Sequence, residues 1–167
     1  SHPCQVLTDI FTFQEIRGSI AGKKVVWLGV ANNVFKSFLH AAVALNFHLV
    51  FSGPMKFQPT KKMLDFLQSQ ESHVLTIEQN PIVAVQKADL VVTDKWVSMH
   101  DNQLGKSDLD ELANFRVTKQ LLDCANEEVL VMHCLPANKG QEVTQSIFED
   151  KRCVALQEAE NRMHLQK

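Results

Sequence analysis

Three short stretches of this chain combine residue types that can bind or transform a small polar molecule. The first runs from Leu90 to Met99, where a β-branched apolar run breaks into Asp94, Trp96, Ser98 and Met99. Such a run reads as a buried strand, and residues just past its carboxyl end line the ligand crevice of an open α/β sheet. Asp94 could hold a cationic group there through a charge-assisted hydrogen bond, although an aspartate capping the next helix accounts for it equally well. The second stretch is the turn Gly29-Val30-Ala31-Asn32-Asn33, whose two amides can grip a carboxylate; taken alone, a polar turn ending in a helix cap explains them more simply. The third is His133-Cys134-Leu135-Pro136. A cysteine in such a place is ordinarily a small hydrophobe unless its surroundings favour the thiolate, and an adjacent His and Cys with no third ligand at a recognised spacing give no zinc signature. Trp96 reads as packing rather than a stacking platform, and His40, His48, His73 and His164 are scattered.

The elements that would position these stretches alternate. Leu7, Ile10 and Phe11 recur at helical spacing and Gly18 is a natural stop. Lys24 to Gly29 then forms a short apolar strand, followed by an amphipathic helix carrying Phe35, Phe38, Leu39 and Ala42. Phe47 to Phe51 repeats the strand, a Gly53-Pro54 break follows, and Met63, Phe66 and Leu67 share one face of a further helix. Val74 to Ile77 is the third strand, and Asn80 caps a short helix from Ile82 to Ala88, with Pro81 suited to its first position. Beyond the Leu90 strand lies a polar loop from Asp101 to Gly105. Ser107 can cap a helix from Asp108, and another spans roughly Thr118 to Ala125 before the Val129 to His133 strand. Val143 to Phe148 looks helical, Val154 to Leu156 is a last apolar run, and a final helix begins at Glu158.

This alternation implies an α/β fold: a single, doubly wound, Rossmann-like domain with a mainly parallel sheet and helices on both faces. If the strands wind in the order 3-2-1-4-5, the crevice opens between the first and fourth, and the fifth delivers His133 to Pro136 beside it. Three loops far apart in sequence then converge on one place.

Composition removes several function classes. With 167 residues, 45% hydrophobic and 22% charged, the chain falls among ordinary globular proteins with material for one good core. A net charge of -2 without any Lys/Arg block argues against nucleic-acid binding, which needs clustered positive charge. No apolar stretch approaches the ~20 residues that span a bilayer. Cys4, Cys124, Cys134 and Cys153 show no CxxC spacing and fit free thiols in a cytosol-like compartment. A dinucleotide site at Gly29 wants G-x-G-x-x-G, and only the first glycine is present, which disfavours NAD or FAD.

With these stretches lined up, the chain resembles the carboxyl-terminal, ornithine-binding domain of the ornithine carbamoyltransferase family. The likeness runs from end to end and rests on His2-Pro3-Cys4-Gln5, Asn32-Asn33, Asp94-x-Trp96-x-Ser98-Met99, His133-Cys134-Leu135-Pro136 and Glu160-Asn161-Arg162. It implies a cofactor-free transfer of the carbamoyl group of carbamoyl phosphate to the side-chain amine of L-ornithine, giving citrulline and phosphate in arginine metabolism. By resemblance, Asp94 and Ser98 hold the substrate α-amino group, while Asn33 and the Met99 backbone hold its α-carboxylate. Cys134 and Leu135 sit by the carbamoyl group and the attacking amine. His2 and Gln5 polarise or orient the carbamoyl group, and Arg162 offsets charge on carbamoyl phosphate.

Two positions depart from the family pattern: Val30 stands where the family has aspartate, and His100 where it has glycine. The added side chain at His100 would stiffen a loop that in the family moves over ornithine. The family's Ser-x-Arg-Thr-Arg phosphate-binding motif, carried by its amino-terminal domain, has no match, so residues 1–167 are expected to be about half an enzyme, with little activity alone. The family is trimeric through contacts largely in that other domain, which makes a monomer the expectation here. A cytoplasmic setting is expected, or the mitochondrial matrix in a eukaryote. Two other readings stay open: a non-catalytic amino-acid-binding or regulatory module that kept the pocket, and a carbamoyltransferase acting on another amine.

Overall fold

The computed structural model describes residues 2–97 and 104–165. Five parallel strands, β1 (Lys24–Leu28), β2 (His48–Ser52), β3 (Leu75–Ile77), β4 (Leu90–Thr93) and β5 (Leu130–His133), form one sheet in the order β3-β2-β1-β4-β5. This is the expected doubly wound order, and the chain switches direction between β1 and β4.

Alternation along each strand feeds two cores. Val25 and Trp27 of β1, with Leu90 and Val92 of β4, pack into one; Val26, Leu28, Val91 and Val131 pack into the other. A parallel sheet covered on both faces therefore reads as continuous apolar runs. The first core holds an aromatic group in which Trp27 meets Phe35 edge-on at 5.7 Å and Phe35 meets Phe51 at 5.2 Å. Each fully buried ring is worth on the order of 2 kcal/mol in apolar burial.

The helices that bear on the crevice are α1 (Pro3–Arg17), α2 (Asn33–Leu45) and, numbered in chain order after α3 (Lys61–Ser69), α4 (Pro81–Val85), α5 (Lys106–Leu112) and α6 (Lys119–Leu122), the last helix α7 (Ala155–Leu165). Gly18 ends α1 with a φ of 77°. Thr118 and Asn80 cap α6 and α4 through their side chains. Helices α1 and α7 run against each other on one face of the sheet.

The structure corrects several local expectations. In α1 the buried face is Val6, Ile10 and Phe13 with the polar Gln5, Asp9, Thr8 and Thr12, while Leu7 is 51% exposed. The capping residue of α5 is Gly105, whose N–H donates to Asp108 Oδ2 at 3.3 Å, not Ser107. The 143–148 segment makes only a 3-10 turn at Gln145–Ile147, because Val143 bridges to Val117 instead. Cys153 bridges to Val131, and α7 already begins at Ala155, three residues before the expected Glu158, leaving Leu156 76% exposed rather than part of a strand.

Candidate functional site

Because β1, β4 and β5 are neighbours, the loops at their carboxyl ends open side by side. On the first of these loops, Asn32 Oδ1 accepts the N–H groups of Val34 and Phe35 at 2.9 and 3.1 Å, capping α2. The same side chain donates through Nδ2 to Asp94 Oδ2 at 2.8 Å, and Asp94 Oδ1 accepts the Lys95 N–H at 2.8 Å. Capping and positioning are thus one act: the residue that starts α2 also aims the carboxylate from β4. Asn33 follows as the first residue of α2 and is exposed.

Val30, at the place of the family's aspartate, contributes through its backbone. Its carbonyl accepts the Trp27 Nε1–H at 2.9 Å and the Asn32 N–H at 2.8 Å, which holds the turn without a carboxylate. Trp96 is packing, as its sequence position suggested. It is 4% exposed and lies so close over Gly29 that a Cβ there would sit 2.7 Å from its Nε1; Gly29 also has a φ of 113°. Ser98, Met99 and His100 lie outside the described residues.

The third loop is set by His133, which is a positioning side chain and no ligand. The Leu135 N–H donates to His133 Nδ1 at 3.0 Å, so that nitrogen is unprotonated and Nε2–H donates to buried Glu142 Oε1 at 3.2 Å. This pairing holds Leu135 at a φ of 40°, a conformation costing on the order of 1–3 kcal/mol in a non-glycine residue. Cys134 stands between them, partly buried.

Helices α1 and α7 close the side of the crevice near Cys134. Gln5 Nε2 donates to Asp9 Oδ1 at 2.8 Å and to Glu158 Oε1 at 2.7 Å, while Gln5 Oε1 accepts from Arg162 Nη1 at 3.3 Å. Glu158 Oε2 accepts the His133 N–H at 3.1 Å. His2 is exposed; its backbone N–H donates to Ser37 Oγ at 2.8 Å, and Ser37 donates to the Asn33 carbonyl at 3.3 Å, tying the start of α1 to the start of α2.

Among the described residues, one oxygen each of Asp9 and Glu158 and the Cys134 sulfur lie within 4.8 Å of one another, a spacing that could hold a cation. The donor set argues otherwise. Three of the four carboxylate oxygens already accept N–H groups, and the thiol is held protonated.

The family model for the aspartate/ornithine carbamoyltransferase Asp/Orn-binding domain matches residues 21–167. The chain belongs to this carbamoyltransferase family. It is 46% identical to the ornithine carbamoyltransferase of Ruegeria pomeroyi and 47% to that of Roseobacter denitrificans, in each case over 100% of this chain and 54% of the relative. The fold superposes on an ornithine carbamoyltransferase from Pyrococcus furiosus with a TM-score of 0.89 at 34% identity, covering 99% of this chain and 54% of that one. The corresponding figures for an ornithine carbamoyltransferase from Burkholderia thailandensis are 0.87, 38%, 99% and 52%. The chain spans about half the length of the curated relatives it matches.

Within this carbamoyltransferase domain, Gln5 and Arg162 meet directly, Cys134 lies against the acids that Gln5 holds, and Asp94 is bonded to the neighbour of Asn33. Sequence reasoning missed Asp9 and Glu158. Gln5 and Asp9, like Glu158 and Arg162, are four apart and share a helix face, but nothing in that spacing says that the two faces meet. Asn161 was noticed only within a motif; buried, it donates to Thr12 Oγ1 at 3.0 Å and Glu15 Oε2 at 2.6 Å, pinning α7 to α1.

The electrostatics of the cluster follow from its burial. Desolvation pushes the Asp9 carboxyl from 3.8 up to about 7, opposed by hydrogen bonds with Glu158 and Gln5 and by the charge of Arg162, with Asp94 adding to the rise. Desolvation, then the charge of Asp9, raises Glu158. Burial, then the charges of Asp9, Asp94 and Glu158, raises the Cys134 thiol well above its ordinary value. At neutral pH this cysteine is a neutral S–H group, unsuited to nucleophilic attack.

Proposed function

We propose that this domain binds L-ornithine and presents its side-chain amine to the carbamoyl group of carbamoyl phosphate, forming citrulline and phosphate. The observation that carries the reading is the meeting, at the ends of β1, β4 and β5, of an amide-fixed carboxylate with the Gln5–Arg162 pair and a neutral cysteine. On this reading Asp94, held by Asn32 and the Lys95 N–H, offers its remaining lone pairs to the α-ammonium. Ser98 shares that contact, and Asn33 with the Met99 backbone takes the α-carboxylate. The free-base amine attacks the carbamoyl carbon as negative charge grows on the carbonyl oxygen, and the bond to phosphate breaks. His2 and Arg162 offset that charge, Gln5 and Leu135 orient the carbamoyl amide, and Cys134 packs beside it without forming a covalent bond. Most of the rate then comes from alignment of two reactants.

The role is a cytoplasmic one in arginine metabolism. Groups outside this chain, in the other half of the longer relatives, hold the phosphate, and the domain alone is a monomer.

Calorimetry with ornithine, lysine and putrescine tests the pocket. Ornithine is expected to bind best, and D94N to weaken it by about tenfold or more, the loss of one charge-assisted hydrogen bond. Putrescine binding as well as ornithine would sink the amino-acid pocket. Robust citrulline formation by residues 1–167 alone would contradict the division of labour between the two halves.

A further inference from the structure

The Gln5 amide is held by a pair of buried acids whose hydrogen bonds are unequal. Glu158 is 2% exposed, and its two oxygens each accept an N–H group, from Gln5 and from the His133 backbone. Asp9 is fully buried, and only its Oδ1 is occupied, by the second Gln5 amide hydrogen; Oδ2 has no partner among the described residues. A carboxylate with N–H donors on both oxygens is satisfied as an anion. A buried carboxyl with one bare oxygen is satisfied by a proton shared with its neighbour, and through it Asp9 and Glu158 hydrogen-bond to each other.

We propose that Asp9 and Glu158 are positioning residues of the carbamoyl-transfer site, two carboxyls sharing one proton that together take both amide hydrogens of Gln5 and leave its Oε1 as the only group it can offer a substrate. The proposal rests on the carbamoyl-transfer reading of the crevice and adds the reason that Gln5 acts there only as an acceptor. An acceptor at that point selects a ligand that carries an N–H, as a carbamoyl group does, over one with a methyl group in its place. The amide cannot turn over, because its oxygen would then face two acids, one of them charged.

The other groups around the pair agree with one proton between two carboxyls. On α7, Arg162 lies on the far side of Gln5 and opposes the rise at Asp9; from the β4 loop Asp94 promotes it, and Cys153, just before α7, raises Glu158. Cys134, from the β5 loop, is held neutral and adds no charge. Two ionised carboxylates this close and this buried would repel strongly.

The two acids therefore answer differently to the same change. Asp9→Asn puts in an amide of the same shape, whose oxygen still accepts from Gln5 and whose NH2 takes the place of the bare oxygen beside Glu158. Glu158→Gln puts an NH2 group where one of two N–H donors must bind, so either Gln5 or the His133 backbone loses its partner. The test is the side-chain amide spectrum of Gln5 by nuclear magnetic resonance. In the wild type both protons are expected to exchange with water at least about tenfold more slowly than those of exposed Gln120. D9N keeps that protection and E158Q loses it. With the domain joined to the half that holds the phosphate, carbamoyl phosphate is expected to shift the Gln5 resonances, and acetyl phosphate, which carries a methyl group instead of the amide, is not.

Fast exchange in the wild type, or E158Q matching D9N, would overturn the clamp without needing any variant to be active. Protected Gln5 protons that neither phosphate shifts would instead remove the carbamoyl assignment of the crevice and, with it, the positioning role.

Discussion

The Asn32 amide reaches across 62 residues of sequence to hold Asp94 Oδ2 at 2.8 Å while its own oxygen starts α2. Stability and ligand geometry thus share one side chain, and substitution can separate them. Asn32→Ala removes both functions and is expected to cost about 1 kcal/mol in unfolding by urea, together with weaker ornithine binding. Asn32→Ser keeps a capping oxygen but cannot reach Asp94, so most of the stability should return while the binding loss remains. Recovery of both together would mean that the Asp94 contact has no bearing on the ligand.

Burial of Asp9 ties stability to pH with a definite sign. Its folded carboxyl titrates at about 7 against 3.8 in the unfolded chain, so between those values the folded chain keeps a proton that the unfolded chain has released. The contribution is complete below about pH 4 and is lost as pH rises through 7. Glu158 shifts in the same direction, while His40 and His48, lowered by burial, act oppositely. The difference between wild type and D9N isolates the Asp9 part: urea midpoints should lie closest below about pH 4 and separate as pH rises to 8, in favour of D9N. A separation of opposite sign would show Asp9 ionised in the folded chain.

The strand order, both cores and the three converging loops were legible because parallel strands buried on both faces leave unbroken apolar runs, and neighbouring strand ends fix where the loops open. The face of α1 was not legible. Leu7 and Phe11 look like core positions by spacing, yet Gln5 and Asp9 turn inward because α7 brings Glu158 and Asn161 to meet that side, and Asn161 to meet Thr12. A polar contact between helices 153 residues apart leaves no periodic trace. The same applies to His133, whose partner Glu142 sits in a loop and whose role depends on which ring nitrogen carries the proton.

The acid limb of stability has a separate source. Asp150 accepts from the Arg152 guanidinium and backbone, which hold its carboxyl at about 2 against 3.8 unfolded. That contribution is present above pH 4 and is lost as pH falls toward 2. Arg152 also bonds Asp123, and its carbonyl accepts the Val131 N–H at the edge of β5. Arg152→Gln should flatten the fall in urea midpoint between pH 4 and 2 and leave the slope above pH 5 unchanged. An unchanged acid limb would assign it to other carboxylates.

Thiol reactivity gives an independent reading of the Cys134 environment. Cys4 and Cys124 are exposed, whereas Cys134 and Cys153 are partly buried with thiols raised by desolvation. Because the thiolate is the reacting form, iodoacetamide at neutral pH is expected to label Cys4 and Cys124 first, with Cys134 slowest. Peptide mass spectrometry over a time course would show this. Early labelling at Cys134 would mean that the neighbouring acids do not hold it protonated.

The loop that carries Cys134 and Leu135 depends on a histidine that touches no substrate in this reading. His133 Nδ1 accepts the Leu135 N–H only because Nε2–H is directed to Glu142, which also accepts the Asn138 N–H. Both donors meet the same oxygen, Oε1, and Oε2 has no partner among the described residues, so Glu142→Gln keeps both contacts through its amide oxygen and is expected to change stability and ornithine binding little. Glu142→Leu removes the acceptor, leaves two buried donors unpaired and frees the imidazole tautomer, so the positive φ of Leu135 has less to hold it. Glu142→Leu is expected to destabilise the domain by about 1–3 kcal/mol and to weaken ornithine binding, although residue 142 lies outside the crevice contacts. A variant that unfolds earlier but binds ornithine with wild-type affinity below its transition would confine His133 and Glu142 to the core and separate them from the geometry of the site.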